Sequence, residues 1–155
     1  MRQGILRFAV LALVVSATAS LSADPETTSL RGLVSGRELC EQAVCGSAIF
    51  AAGFAGEIDG RSAAGLAIGS IMHTTPLPQA AHECATIVGG RWSINTLRRS
   101  LSGDVPDGTV CYMDGVKFLV QMTMNIKQGG NGQAQFTAIL DHGQFPPTIK
   151  GAIGQ

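Results

Sequence analysis

The chain has 155 residues, which is enough for one domain, and its 11 basic and 11 acidic residues balance. No run of arginine or lysine occurs, so the charge pattern argues against a nucleic-acid-binding protein. Aromatic residues make up 5% of the chain, too few for the two aromatic girdles of an outer-membrane barrel.

The first 19 residues have the three-part layout of a secretory signal peptide. Two arginines flank the start of a wholly apolar run, residues 8–15, and Ala17-Thr18-Ala19 supplies the small residues of a cleavage site. We expect cleavage after Ala19, with Ala23 as the second choice, and export to the periplasm or the cell exterior. Because the apolar run is too short to cross a bilayer, we expect no membrane span in the mature form.

Four cysteines follow the signal peptide: Cys40, Cys45, Cys84 and Cys111. An even number in an exported chain predicts two disulfide bonds, for which three connectivities are possible. A metal site that combines cysteines with His73 and His82 is the alternative interpretation. The spacings contain no C-x-x-C pair, however, so we expect disulfides and no metal.

The composition divides the mature chain into three parts. Residues 20–36 are polar and predict a flexible leader. Residues 37–46 contain helix-forming residues that end at a glycine, and they predict a short helical segment or plug. Residues 47–155 alternate short apolar runs with turn residues, and they predict a β-barrel domain.

The longest alternating run predicts a hairpin over residues 116–140, with its turn at the glycines 129, 130 and 132. Polar and apolar residues alternate with a period of two in both arms, which is typical of strands with one buried face. The predicted buried residues include Phe118, Met122, Met124 and Phe136.

Six further strands are predicted on either side of this hairpin. Asp-Gly pairs at residues 59–60 and 114–115 are typical of tight hairpin turns, because both central positions need positive φ. The eight predicted strands span residues 47–58, 63–72, 84–95, 97–105, 109–113, 116–127, 133–140 and 148–155.

This pattern predicts an all-β fold, an eight-stranded antiparallel meander that closes into a barrel. Closure removes the two free edges of such a sheet. The interior of an eight-stranded barrel is either filled by side chains or holds one small ligand. A two-sheet β-sandwich is the alternative, because periodicity does not distinguish the two architectures.

Strand alternation places Cys45, Cys84 and Cys111 at one end of the predicted barrel, with the segment that carries Cys40. Two disulfides could therefore hold the N-terminal segment across that end as a plug, and a local Cys40–Cys45 bond is the alternative. If the plug forms, a ligand would enter at the opposite end, near the turns at residues 59–60, 95–96 and 129–130.

Several residues are candidates for a ligand site. Arg99 shares the parity of Leu97 and Leu101, so it is expected either to point inward toward an acid or bound anion, or to point outward beside a bulge. The methionines at positions 72, 113, 122 and 124 are expected in the core, where they also suit an adaptable apolar cavity. The ligand-binding candidates are Arg99, Phe118, Met122, Met124 and Phe136.

No residue is predicted to be catalytic and no cofactor is expected. Asp141 and His142 would suit general-base chemistry, but adjacent strand residues point to opposite faces, which favours a loop histidine. His73 and His82 lie in a proline-containing loop and are expected at the surface.

Four stretches carry a resemblance: AIFAAGFAGEIDGR, GGRW, QGGNGQAQF and ILDHGQFPPTIKGAIGQ. Together they resemble a group of uncharacterised exported bacterial proteins over residues 48–155. The Gly-Gly-x-Gly turn followed by a strand and a closing Gly-Ile strand is more distantly similar to small barrels of the allene oxide cyclase and dirigent type. That resemblance implies a barrel with an apolar cavity and carries over no catalytic residue.

These features predict a non-enzymatic binding module for a small apolar ligand or a partner protein. One alternative is an isomerase or cyclase that shapes an apolar substrate inside the barrel. Another is a structural envelope protein whose barrel is filled. The polarity and size of the interior distinguish them, since a dry void favours binding and a filled core favours a structural role.

Overall fold

The computed structural model describes residues 26–39, 47–74 and 76–154. The predicted signal peptide, Cys40, Cys45 and most of the predicted helical segment lie outside these ranges. Within the described ranges, no helix capable of crossing a membrane is present.

In the part of the chain that the structure describes, nine β-strands form one antiparallel sheet, and most of them alternate buried and exposed residues as the sequence pattern predicts. Their bounds are β1 Leu30–Glu38, β2 Ser47–Ile58, β3 Arg61–His73, β4 Cys84–Thr96, β5 Ser100–Asp104, β6 Gly108–Asp114, β7 Lys117–Gln128, β8 Gly132–Asp141 and β9 Thr148–Gly154.

The sheet closes into a barrel, because β1 pairs with both β2 and β9 while β3 pairs with β4. β5 and β6 occupy one position between β4 and β7. The end of β4, from Arg91 to Asn95, pairs with β5, and its start, from Cys84 to Ile87, pairs with β6. The barrel therefore has eight antiparallel positions. The predicted eight-stranded meander barrel is confirmed in preference to the sandwich.

The predicted number of strands equals the number of barrel positions only because two errors in the prediction compensate each other. β1 was missed, since residues 30–36 were assigned to a flexible leader and residues 37–46 to a helical segment. The segments now seen as β5 and β6 were counted as two barrel positions, although they lie end to end in one. The barrel domain thus begins at Leu30 rather than at residue 47.

β1 escaped prediction because glycines occupy two of the five positions on its inner face. Leu30 and Val34 are buried, but Gly32 lies between them and Gly36 follows, so the apolar pattern is interrupted. A Cβ at Gly36 would lie 2.1 Å from the carbonyl oxygen of Ala51, so glycine is required where β1 approaches β2. The same two glycines that permit this packing conceal the strand in the sequence.

One hydrophobic core fills the barrel. Phe118, Met122 and Phe136 are buried, as the alternation of the hairpin predicts. The core prediction is wrong for Met72 and Met113, which are 52% and 45% exposed. From Gly65 to Gly69, β3 turns its small residues inward and Leu66 and Ile68 outward. Met72 shares the outward parity and therefore lies at the surface.

A disulfide joins Cys84 of β4 to Cys111 of β6 at directly paired positions. Because these two cysteines bond to each other, the predicted plug held to both of them is wrong. The disulfide instead ties two neighbouring strands of the barrel.

Replacing both Cys84 and Cys111 with serine is expected to lower the free energy of unfolding by about 3 kcal/mol, since the bond closes a segment of 27 residues in the unfolded chain. Urea denaturation of the double variant and the oxidised parent protein measures this difference. Equal unfolding midpoints would contradict a stabilising role for the bond.

Candidate functional site

Among the described residues, a small apolar cavity of about 50 Å³ lies in the interior of the barrel. Ala67 and Gly69 on the inner face of β3 leave this space, because their side chains do not reach the barrel axis. The indole of Trp92 lines the cavity and donates from Nε1 to the carbonyl oxygen of Asn125 at 3.1 Å. Three predicted ligand-binding residues also line it, namely Met122, Met124 and Phe136.

The cavity is large enough for water but too small for an organic ligand. A water molecule needs about 10–15 Å³ of such volume, whereas a cavity that binds benzene measures about 150 Å³. At about 50 Å³, the interior offers one third of that space. The described residues therefore nearly fill the interior around this cavity.

Arg99 lies at one end of the barrel and not beside the cavity. Its guanidinium forms a salt bridge with Asp59, and Nε donates to the carbonyl oxygen of Gly129 at 2.8 Å. Asp59 also accepts a hydrogen bond from the backbone N–H of Ser29 at 2.9 Å. The predicted acidic partner of Arg99 is thus Asp59, and the pair joins three turns and the approach to β1.

The hydrogen bond from Arg99 lowers the pKa of Asp59 below its ordinary value, and the bond from the Ser29 backbone adds to this effect. A carboxylate with a lowered pKa stabilises the fold above its ordinary pKa, and that contribution is lost as the pH falls through the lowered value. The Asp59–Arg99 pair therefore contributes to stability near neutral pH and not in acid.

The variant Asp59→Asn is expected to be less stable than the parent at pH 7 by up to about 1 kcal/mol, because the pair is more than one third exposed and screened by solvent. Asparagine also adopts the positive φ of residue 59, so the turn is kept. Thermal unfolding at pH 7 and near pH 3 measures the difference, which should shrink in acid. A difference that does not change with pH would contradict the assignment.

A second polar pair closes the opposite end of the barrel. Glu38, 4% exposed, points inward from the end of β1, and its Oε2 lies 3.0 Å from Nε2 of His142. The ring of Phe118 lies 5.2 Å from that of His142, and Tyr112 packs edge-on against Phe118 at 6.0 Å. Phe118 therefore packs against His142 and does not line the cavity.

The sequence places His142 next to Asp141, but its partner in the structure is Glu38. Asp141 instead accepts a hydrogen bond from the backbone N–H of Gly143. Glu38 was missed because residues 37–46 were assigned to a helical segment. In the sequence, Glu38 is an even number of residues from Leu30 and Val34, and this spacing indicates that all three side chains point to the same face of a strand.

The other histidines differ from each other. His73 ends β3 on the inner face and is 8% exposed, so its predicted surface position is wrong, whereas His82 is exposed as predicted. Nδ1 of His73 lies 2.9 Å from the carbonyl oxygen of Thr74. Within the described residues, no three histidine, cysteine or acidic side chains are grouped to hold a metal.

No protein-family model, curated protein or solved structure matches this chain.

The most distinctive surface is the outer face of β2 and β3, which we call the outer β2–β3 face. All of its outward side chains from the start of β2 to Ala55, and from Ala64 to Met72, are uncharged. They are Ser47, Ile49, Ala51, Gly53 and Ala55 on β2, and Ala64, Leu66, Ile68, Ser70 and Met72 on β3.

Large apolar side chains on this face are exposed to solvent. The exposed fractions are 49% for Ile49, 48% for Leu66, 42% for Ile68 and 52% for Met72, and the adjacent Leu33 of β1 is 67% exposed. The outer surface of β7 and β8, on the opposite side of the barrel, instead carries Lys117, Gln121, Lys127, Gln133 and Gln135. Other exposed apolar residues, such as Val88, Leu97 and Phe145, lie outside this face. The outer β2–β3 face is distinguished by exposed apolar residues at neighbouring positions of adjacent strands.

The strand register gives this face a ridge and a groove. Ile68 lies beside Ala51, and Leu66 lies beside Gly53, so the large side chains of β3 stand next to the small residues of β2. The sequence showed that β3 has one large and one small face. Its outward orientation could not be read there, since an apolar strand face usually points to the core.

Proposed function

We propose that this protein is an exported, non-enzymatic interaction module that binds a protein partner through its outer β2–β3 face. The supporting observation is the uncharged, solvent-exposed apolar strip on that face. Its four large side chains and Leu33 expose on the order of 500 Å², within the range at which the largest patch of a soluble protein is often functional.

The size of the interior favours a protein partner over a small apolar ligand. A cavity of about 50 Å³ does not admit even a benzene-sized molecule without rearrangement of Met122, Met124 or Phe136. The barrel then serves as a rigid scaffold, and binding takes place on its outside.

The polar pairs at the two ends support the same proposal over the isomerase or cyclase alternative. Neither Arg99 nor the Glu38–His142 pair lines the apolar cavity, so acid–base groups and substrate space are separate. The Asp59–Arg99 pair joins turns at one end, and Glu38–His142 joins β1 to the residue after β8 at the other.

The Cys84–Cys111 disulfide supports export, because such bonds persist in oxidising compartments. The signal-peptide prediction points to the same location. The distant similarity to allene oxide cyclase and dirigent-type barrels remains a prediction, which concerns the barrel and not the partner.

Chemical cross-linking in the native host tests this function. We compare the parent protein with the double variant Leu66→Asp/Ile68→Asp and with the control Leu97→Asp, which changes a fully exposed leucine in the β4–β5 turn. We expect the cross-linked protein products to disappear only in the double variant, provided that its circular dichroism spectrum matches the parent. Identical products in all three proteins would overturn the proposal.

Native mass spectrometry of protein purified from the same host tests the small-ligand alternative. We expect the mass of the polypeptide alone. A small molecule that co-purifies in stoichiometric amount would favour binding inside the barrel.

A further inference from the structure

We infer that the partner of the outer β2–β3 face is a second copy of this chain, packed face to face about a two-fold axis. This inference rests on the proposed function and identifies the occupant of its surface.

The first argument is self-complementarity. In a two-fold dimer each subunit contributes the same surface, so a ridge must meet a groove on that surface. The outer β2–β3 face has both, with Leu66 and Ile68 forming the ridge and Ala51, Gly53 and Ala55 forming the groove. If the two-fold axis lies in the interface, over the line between β2 and β3, the ridge of each copy lies in the groove of the other.

The groove is open on the side that faces solvent. A Cβ built at Gly53 would meet only the carbonyl oxygen of Ser35, at 3.8 Å. No side chain of the described residues therefore fills the space above Gly53. A leucine or isoleucine from a second copy would fit there.

The shape of the strip is the second argument. With Leu33 of β1 included it is three strands wide, which corresponds to about 10–15 Å, and from Ile49 to Ala55 it is about 20 Å long. Two convex barrels that pack side by side touch along a narrow strip of this kind. A flat or concave partner would cover a wider surface.

The third argument concerns charge. A charged face would bring like charges together across a two-fold axis, and this penalty is absent where the outward residues are uncharged. The charged residues beside the strip lie at its margins. Arg31 pairs with Glu57 at 2.9 Å, and Arg37 donates to the carbonyl oxygen of Pro146 on the side of β1 away from β2. Arg91 of β4 lies beside Ser70 at the other margin.

The buried area predicts a weak, reversible dimer. If each copy contributes on the order of 500 Å² of large apolar side chains, the interface is near the lower limit of about 1,000 Å² for a specific complex. We therefore expect a dissociation constant in the micromolar range and exchange between monomer and dimer.

Sedimentation equilibrium of the purified mature protein, over about a hundredfold range of concentration around the micromolar level, tests this inference. We expect the weight-average mass to rise from monomer toward dimer. The ridge variant Leu66→Asp/Ile68→Asp and the groove variant Gly53→Leu should each raise the dissociation constant at least tenfold. The control Leu97→Asp should leave it unchanged.

The possible outcomes separate this inference from the proposed function. A parent protein that stays monomeric, while its cross-linked products in the host are still lost in the ridge variant, would overturn the second copy and keep the protein-binding function. A dimer that both variants leave intact would place the contact elsewhere and overturn the inference. A monomeric parent whose host cross-links are unaffected by the ridge variant would overturn both.

Discussion

Replacing Phe136 with alanine is expected to lower the free energy of unfolding by about 3–5 kcal/mol, because the side chain is 95% buried and borders the cavity. The change removes a buried ring and merges its space with the existing void. The enlarged cavity should approach the size of about 150 Å³ that binds benzene. Benzene should therefore raise the unfolding temperature of the variant and not that of the parent protein.

Thermal unfolding with and without benzene measures both effects. Thr137→Ala is the matched control, since Thr137 is the next residue on β8 and is exposed. The free energy of unfolding of the Thr137→Ala variant should differ from that of the parent by less than about 0.5 kcal/mol. If benzene stabilised the parent as much as the Phe136→Ala variant, the parent barrel would already hold a usable cavity, and the filled-barrel interpretation would be wrong.

The variant Gly103→Ala is expected to lose more than about 3 kcal/mol of stability, a large effect for the addition of one methyl group. A Cβ at Gly103 would lie 1.7 Å from the carbonyl oxygen of Asn125 and 3.2 Å from Nε1 of Trp92. The backbone of β7 would have to move away, and the hydrogen bond from Trp92 to Asn125 would be disturbed.

Gly154→Ala serves as the matched control, because it adds the same methyl group within a strand where a Cβ meets nothing within 4 Å. It should be neutral or slightly stabilising, since alanine restricts the unfolded chain more than glycine does. Urea denaturation of both variants gives the comparison. Similar losses in the two variants would contradict a specific requirement for glycine at position 103.

The sequence identified the fold because the strands of the C-terminal half alternate without interruption. Phe118, Met122 and Phe136 keep one parity across two arms of a hairpin, and only a sheet can bury all three. Asp-Gly pairs then marked reversals that the structure retains. Closure followed from the need to protect the sheet edges, which is a general property of such meanders.

The parts that were missed depend on contacts between distant segments. β1 is recognisable only when its glycines are matched to β2, and the pairing of Glu38 with His142 joins residues 104 positions apart. The orientation of β3 was equally hidden. Leu66 and Ile68 turn outward, whereas Ala67 and Gly69 turn inward and border the small cavity with Phe50, Trp92 and Met122.

The candidate surface was hidden for the same reason. Periodicity shows that Leu66 and Ile68 share a face, but it does not show which face meets solvent. The exposed apolar face of β3 can be recognised only when the structure shows that the opposite face, with the small residues, points into the core.

The seam of the barrel lies between its first and last strands, where Gly32 pairs with Ile153. Until the final strand docks, β1 and β8 each present unpaired backbone groups along their length, and either can pair with another molecule instead. Contacts so distant along the chain also form slowly. Newly synthesised molecules are thus most vulnerable to aggregation before β9 pairs with β1, and a chaperone that covers β1 would protect them during that interval.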